Sequence, residues 1–176
     1  MLPIPWRYVE SWNCNSCGLC CKGFDVVLDF PEWMNIVKTY GVDYTIPGLS
    51  RLYLRRKTDG TCVFLQNYYG GWLCSLQHMK PMACKLWPFK VSNSPRYGRA
   101  QEAAFNYKGR RFFLYVDPFC PEIKWGKPSS QMISLVIPEF VEIALGLREK
   151  QVYSTSGVQA QYDVFSSLRR GGYLIP

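Results

Sequence analysis

Four of the eight cysteines lie within eight consecutive residues, and this cluster is the strongest chemical signal in the chain. Its members are Cys14, Cys17, Cys20 and Cys21. The first three follow one another at C-x2-C-x2-C spacing, with which one irregular loop can turn three thiolates toward a single metal centre. The remaining cysteines lie further along the chain, at Cys62, Cys74, Cys84 and Cys120. The sequence predicts that all eight cysteines are metal ligands.

The spacing favours iron–sulfur clusters over zinc. Ferredoxin-type sites use the same x2–x2 spacing and add a cysteine that is followed by proline, as Cys120 is followed by Pro121. Structural zinc sites more often combine two separate C-x2-C pairs, and this chain has no clear second pair. We therefore expect [4Fe–4S] clusters, with zinc as the alternative metal.

The adjacency of Cys20 and Cys21 bears on the number of centres. Neighbouring side chains point to opposite faces of an extended segment and diverge in a helix, so two adjacent thiolates are expected to serve different centres. The preferred division has a first thiol set of Cys14, Cys17, Cys20 and Cys120, and a second thiol set of Cys21, Cys62, Cys74 and Cys84. Other divisions, buried thiols without metal and an internal disulfide are the open alternatives.

His78 is the single histidine, and it lies between Cys74 and Cys84. Neutral imidazole is a good metal ligand, so His78 could take the place of one cysteine. Because eight thiolates are enough for two four-ligand centres, we expect His78 to lie beside a centre or at the surface.

Length and composition indicate one globular domain. The 176 residues are 48% hydrophobic and 16% aromatic, which argues against disorder. The longest apolar run, Met132 to Ile137, is too short to span a membrane, and two prolines near the N-terminus argue against a signal peptide. We expect a cytoplasmic protein with reduced thiols and no membrane partner. Residues 1–125 would form a cysteine-rich metal-binding domain, with a helical extension at 126–176 packed on the same domain.

The formal net charge is +8, and the segment 85–111 is especially basic. It interleaves cations with aromatic side chains, which could bind nucleic acid through phosphate contacts and base stacking. Alternation on half-buried strands, with the aromatic side chains inward and the cations outward, explains the same pattern more simply. Two centres of four thiolates each, with their metal, would lower the net charge to about +4. We therefore expect the cations to compensate thiolate charge, without a polyanion partner.

The predicted elements are short and give an α+β fold of small antiparallel hairpins or a meander with a few helices, stapled by the cysteine-ligated metal centres. Asp29 as cap, Pro31 in the first turn and Gly41 as terminator predict a helix. The Asp59-Gly60 pair predicts a tight turn within a meander. The expected segments are helices over 31–40, near 80–85 and over 132–150 with a break at Pro138, a meander of 51–57, 62–65 and 72–76, and a hairpin of 99–107 and 110–116.

The cysteines and their neighbours resemble a known family. The matching residues are Cys14, Cys17-Gly18, Cys20-Cys21, Cys62-x-Phe64-Leu65, Cys74 and Lys80-Pro81-x-x-Cys84-Lys85-x-x-Pro88-Phe89. In this pattern the chain is similar to the CxxCxxCC proteins, described as zinc- or iron-chelating domains, and distantly to the cysteine-rich region of flagellin lysine N-methylases. The resemblance covers roughly 14–120 and implies metal binding. Gln77, Lys80 and Lys85 depart from the tyrosine and two arginines usual in the family, at positions outside the proposed ligands.

The sequence contains no motif that identifies an enzyme, and we assign no catalytic residue. It has no Walker loop, no G-x-G-x-x-G and no H-E-x-x-H. The expected activity is electron transfer or a cluster-dependent accessory role with a protein redox partner. The alternatives are a zinc-stabilised interaction module and, from the resemblance, a cluster-containing protein-lysine methyltransferase, for which the chain shows no cofactor motif.

Overall fold

The protein has an α+β fold, as the sequence predicts. A computed structural model describes residues 2–68 and 71–153. Residues 154–176, which belong to the predicted helical extension, lie outside the described residues. In the described ranges, no helix combines the length and the apolar character needed to cross a membrane.

The elements are short and are joined by many turns. In chain order they are β1 (Ile4–Pro5), β2 (Val9–Trp12), α1 (Leu19–Gly23), β3 (Val27–Leu28), α2 (Phe30–Tyr40), β4 (Thr45–Pro47), β5 (Leu52–Leu54), β6 (Leu65–Tyr68), β7 (Gly71–Cys74), α3 (Met82–Leu86), β8 (Phe89–Ser92), α4 (Ala100–Ala103), β9 (Ala104–Tyr107), β10 (Arg110–Val116), β11 (Ile123–Trp125) and α5 (Ile137–Ala144). The connections include 3₁₀ turns at Trp6–Tyr8, Val42–Tyr44 and Gln77–Met79 and a π-helical turn at Met132–Val136.

The apolar interior is divided into two cores. The first core lies between the sheet in which β10 pairs antiparallel with β1, β8 and β9, the β2–β11 pair, and α5. Its buried members are Trp6, Val9, Trp12, Phe89, Phe112, Leu114, Val116, Cys120, Ile123, Met132, Val136, Ile137, Phe140 and Val141.

The second core lies beside α2 and two small sheets. One sheet has the order β3-β5-β4, and the other is the β6–β7 hairpin. The buried members are Leu28, Ile36, Leu54, Cys62, Phe64, Leu65 and Leu76. Each core therefore contains at least one buried cysteine.

The helix α2 forms where the sequence predicts it, because its ends carry strong local signals. The Asp29 side chain accepts from the Glu32 backbone N–H at 2.7 Å, and a Glu32 oxygen accepts from the Asp29 N–H at 3.0 Å. Gly41 ends the helix at a φ of 101°. The second Glu32 oxygen accepts from the Met82 N–H at 2.6 Å, so the same side chain also fixes the start of α3.

The predicted meander is wrong in its pairing. The strand β5 pairs with β3 and β4 instead of the following strand, which begins at Leu65 and pairs with β7. The contact between 51–57 and 62–65 is limited to the bridge between Arg56 and Cys62 and to the flanking hydrogen bonds from the Lys57 N–H to the Thr61 carbonyl and from the Val63 N–H to the Arg55 carbonyl. Cys62 therefore precedes the hairpin that carries Cys74. The predicted Asp59-Gly60 turn does form, with the Gly60 N–H donating to the Lys57 carbonyl at 2.9 Å, but the strand pairing does not extend beyond it because β5 pairs with β3 and β4.

Two further segments differ from the prediction. Residues 100–103 form α4, and the predicted hairpin is confined to β9 and β10. The final helix ends at Ala144 instead of 150. Glu139, fully buried in α5, accepts from the backbone N–H groups of Val152 and Tyr153 at 2.7 and 2.9 Å, which turns the chain back toward α5.

Candidate metal centre

All eight cysteines are free thiols that line one cavity of about 570 Å³. Cys62 and Cys120 are buried, and the other six are half-buried. The structure thus brings together every cysteine that the sequence analysis selected. No three His, Cys, Asp or Glu side chains within residues 2–68 and 71–153 stand as a ready-made site for one ion.

The loop between β2 and α1 carries Cys14 and Cys17, and its own side chains shape it. The Asn15 carboxamide oxygen accepts from the Cys17 N–H at 3.0 Å, which forms a local turn. Gly18 then adopts a φ of 73° immediately before α1. A Cβ atom at Gly18 would lie 2.8 Å from Cγ of Trp72, so this glycine is required both by its backbone conformation and by the close packing of the indole.

This loop is tied to both halves of the protein. The Asn15 Nδ2 donates to Oε1 of Glu122 at 2.6 Å, two residues beyond Cys120. Trp72, which lies two residues before Cys74, donates its backbone N–H to the Ser16 carbonyl at 3.3 Å. The loop therefore holds Cys14 and Cys17 between the chain segments that carry the more distant cysteines.

Cys120 belongs to the first core and faces the same loop. The Nε1 of Trp12 donates to its sulfur at 3.2 Å. Burial raises the pKa of Cys120, while hydrogen bonds from the Glu122 N–H and from Trp12 oppose that increase. Negative charge on Cys17 or Cys14 raises it further, which places these three sulfurs within electrostatic range of one another.

The second core carries most of the other cysteines. Cys62 is buried in it, and Cys21 and Cys74 pack against it. The Cys62 N–H donates to the Cys21 carbonyl at 2.7 Å. Cys84, on α3, has a pKa raised first by burial and then by negative charge on Cys74.

Arg56 joins the segments that carry Cys21 and Cys62. Its guanidinium donates to the Gly60 carbonyl at 2.6 Å, to the Asp25 carboxylate at 3.0 Å, and to the Lys22 carbonyl. One cation thus ties the turn before Cys62 to the end of α1.

Cys20 and Cys21 do not diverge as expected from their adjacency. Their sulfurs lie 3.9 Å apart on α1. The hydrogen bond between them, together with Lys80, lowers the pKa of Cys20 to about 7, and the same contact raises the pKa of Cys21. This pair lies where the two groups of sulfurs meet, because negative charge on Cys20 acts on Cys14 and also on Cys62, Cys74 and Cys84.

A family model matches residues 13–121, a range that contains all eight cysteines. It is the model of the CxxCxxCC family, described as a "putative zinc- or iron-chelating domain". The chain belongs to the CxxCxxCC family. No curated protein and no solved structure shows significant similarity to it.

The donor set of this CxxCxxCC domain fits a thiolate-bound metal. Four of its sulfurs accept a hydrogen bond from the backbone N–H two residues later, an arrangement that favours the thiolate over the thiol. The pairs are Cys14 with Ser16, Cys62 with Phe64, Cys74 with Leu76, and Cys120 with Glu122. Soft thiolates select iron–sulfur clusters and zinc, in agreement with the zinc or iron of the family description.

Lys80 lines the cavity, and its positive charge acts on thiols of both cores. It is half-buried, and within residues 2–68 and 71–153 it makes no ion pair with a carboxylate. Burial raises the pKa of Cys14, Cys74 and Cys84, and the Lys80 ammonium opposes each increase. The sequence analysis noted Lys80 only as a departure from the family pattern and missed this position.

His78 and the basic segment lie where their simpler interpretations put them. His78 is exposed at the edge of the CxxCxxCC cavity. In the segment 85–111 the cations from Lys90 onward are exposed, while the aromatic side chains are buried or half-buried. Lys90, Arg110 and Arg111 lie on strands, and Arg96, Arg99 and Lys108 lie in the connections, so the alternation accounts for part of this pattern.

The close contact at Gly18 predicts a large effect of one methyl group. Gly18→Ala should destabilise the protein by about 2–4 kcal/mol, because it adds a steric clash with Trp72 to the cost of a positive φ. Urea unfolding measures this loss, and we expect the metal content per chain to fall with it.

Gly109→Ala is the matched control, since Gly109 has a φ of 76° and open space around its Cα. It should cost about 1 kcal/mol and leave the metal content unchanged. Equal effects of the two substitutions on stability and metal content would contradict the role of the Gly18–Trp72 contact.

Proposed function

We propose that this domain binds iron–sulfur clusters of the [4Fe–4S] type through its cysteine thiolates. The observation that carries the proposal is the cavity itself, in which eight free thiols face a volume of about 570 Å³. A single tetrahedral zinc ion with Zn–S bonds of about 2.3 Å needs only four sulfurs about 3.8 Å apart. A cavity of this size with eight thiols supports larger, polynuclear centres, as does the x2–x2 spacing of the first three cysteines.

The thiols would be divided between two centres. Cys14 and Cys120 pack with the first core, whereas Cys21, Cys62 and Cys74 pack with the second. Each group also contains two sulfurs that accept a backbone N–H from the residue two positions later. These features support the division into the first and the second thiol set, with Cys20 and Cys21 at the junction.

The activity we propose is electron transfer, or an accessory role that depends on the clusters. A bound [4Fe–4S] cluster supplies one-electron oxidation and reduction. The residues of this chain would hold the thiolates, exclude water through the buried Cys62 and Cys120, and stabilise negative charge through Lys80 and the backbone N–H groups. Leu19, 39% exposed beside Cys20, lies at a surface that a protein redox partner could approach. The free thiols also favour a reducing compartment such as the cytoplasm.

Metal identity is tested by anaerobic purification followed by elemental and acid-labile sulfide analysis. We expect iron and sulfide in equal amounts, with broad visible absorption that bleaches on reduction. The corresponding control is the protein purified in air, which should lose colour as oxygen oxidises the clusters. A colourless protein with stoichiometric zinc and no sulfide would contradict the iron–sulfur proposal and support the zinc module.

The two-centre division predicts how cysteine substitutions combine. Cys21→Ser, in the second thiol set, should remove about half of the metal, and Cys120→Ser, in the first, should remove the other half. Because ligands of one centre act as a unit, Cys14→Ser added to Cys120→Ser should cause no further loss. Cys84→Ser added to Cys120→Ser should remove nearly all metal.

Metal content per chain, measured on variants whose circular dichroism matches the parent, tests this division. If Cys120→Ser alone removed all the metal from a folded protein, the thiols would form one shared centre and the division would be wrong.

A further inference from the structure

The side chain of Trp12 is fixed in the first core with its N–H on the sulfur of Cys120. Trp12 is 5% exposed, and its ring packs edge-on against Phe89 at 5.6 Å and against Phe140 at 5.5 Å between centroids. Its Nε1 lies 3.2 Å from the Cys120 sulfur, in a buried contact. The indole has little freedom to turn this N–H elsewhere.

Strand pairing aligns the two residues, although they are far apart in sequence. Trp12 is the last residue of β2 and pairs with Ile123, the first residue of β11. Cys120 lies three residues before Ile123, and its N–H is held by the Asp117 carbonyl at 3.3 Å. The β2–β11 pairing therefore places the indole over the sulfur as part of the fold.

The chemistry of the contact favours a charged sulfur. An indole N–H can only donate, and a neutral thiol is a weak acceptor. A thiolate is a much better acceptor, because hydrogen bonds to charged groups are shorter and roughly twice as strong. A buried N–H directed at this sulfur is therefore best satisfied when Cys120 is a metal-bound thiolate.

The second thiol set has no equivalent contact. Backbone N–H groups lower the pKa of cysteines in both sets, Cys14, Cys20 and Cys120 in the first and Cys62 and Cys74 in the second. In the described part of the chain, none of the four sulfurs of the second set accepts an N–H from a side chain. The hydrogen bond from the Trp12 side chain to Cys120 thus distinguishes the first thiol set from the second.

We propose that Trp12 is a positioning residue that stabilises the more negative state of the centre containing Cys120 and raises the reduction potential of that centre, but not of the other. This inference rests on the proposed function and names a residue that regulates it. One-electron reduction adds one negative charge to a centre, and an N–H donor to a coordinating sulfur stabilises that added charge. In the experiment, the electron comes from dithionite.

Trp12→Phe tests the proposal, because it keeps an aromatic ring in the core and removes the N–H. The anaerobically purified, full-length protein is titrated with dithionite while its paramagnetic resonance spectrum is recorded. Of the two midpoint potentials, one should become more negative by roughly tenfold in the reduction equilibrium, which is about 59 mV for one electron. The second potential should not move.

Trp6→Phe is the matched control. Trp6 is 3% exposed in the same core, and its N–H donates to the Ala104 carbonyl at 3.3 Å, away from any sulfur. The control loses one indole and one hydrogen bond, so it reproduces the packing cost without the contact to sulfur. Both potentials should remain at the parent values in Trp6→Phe.

Two results would overturn the inference: unchanged potentials in Trp12→Phe, or equal shifts in Trp12→Phe and Trp6→Phe. The proposed function fails separately, through the metal analysis of the parent protein. If the parent holds zinc, competition with a chromophoric chelator replaces the potential as the measurement. Trp12→Phe should then weaken zinc binding at one site by roughly tenfold relative to Trp6→Phe, and equal affinities would overturn the role of Trp12.

Discussion

The structure depends on holding one irregular cysteine loop between two separate apolar cores. Asn15 ties this loop to Glu122, and the Ser16 carbonyl ties it to Trp72. Gly18 allows the loop to enter α1 while the Trp72 ring packs against its Cα. These ties place the thiols on the loop beside the thiols of both cores. The short sheets and helices are in this sense a frame for the cavity, in which metal binding would replace part of a continuous core.

Charge follows the same arrangement. Eight thiols in one cavity are tolerable because burial raises the pKa of most of them, which keeps them neutral until a metal binds. Once they are deprotonated, Lys80 and the backbone N–H groups stabilise their charge. The cations of residues 90–111 are exposed, and among them Lys90 also lines the cavity. Lys80, by contrast, lines the cavity and acts on thiols of both cores.

Local signals predicted local structure well. Asp29, Pro31 and Gly41 were enough to predict α2, and the cysteine pattern selected the eight thiols that line the cavity, although it did not select Lys80. The sequence analysis did not predict β4 as the local partner of β5, and the pairing of β5 with β3 joins segments that are distant in sequence. The same is true of Trp12, which reaches Cys120 only because β2 pairs with β11. The expected divergence of the Cys20 and Cys21 side chains was wrong, because side-chain rotation on a one-and-a-half-turn helix brings their sulfurs to 3.9 Å, while their assignment to different centres stays a prediction.

Anomalous diffraction from crystals of the anaerobically purified protein, collected at the absorption edge of its metal, tests the central claim most directly. The account predicts two separate peaks inside the thiol cavity, one bonded to sulfurs of the first thiol set and the other to sulfurs of the second. Metal bound outside the cavity, with the eight thiols left free, would contradict it.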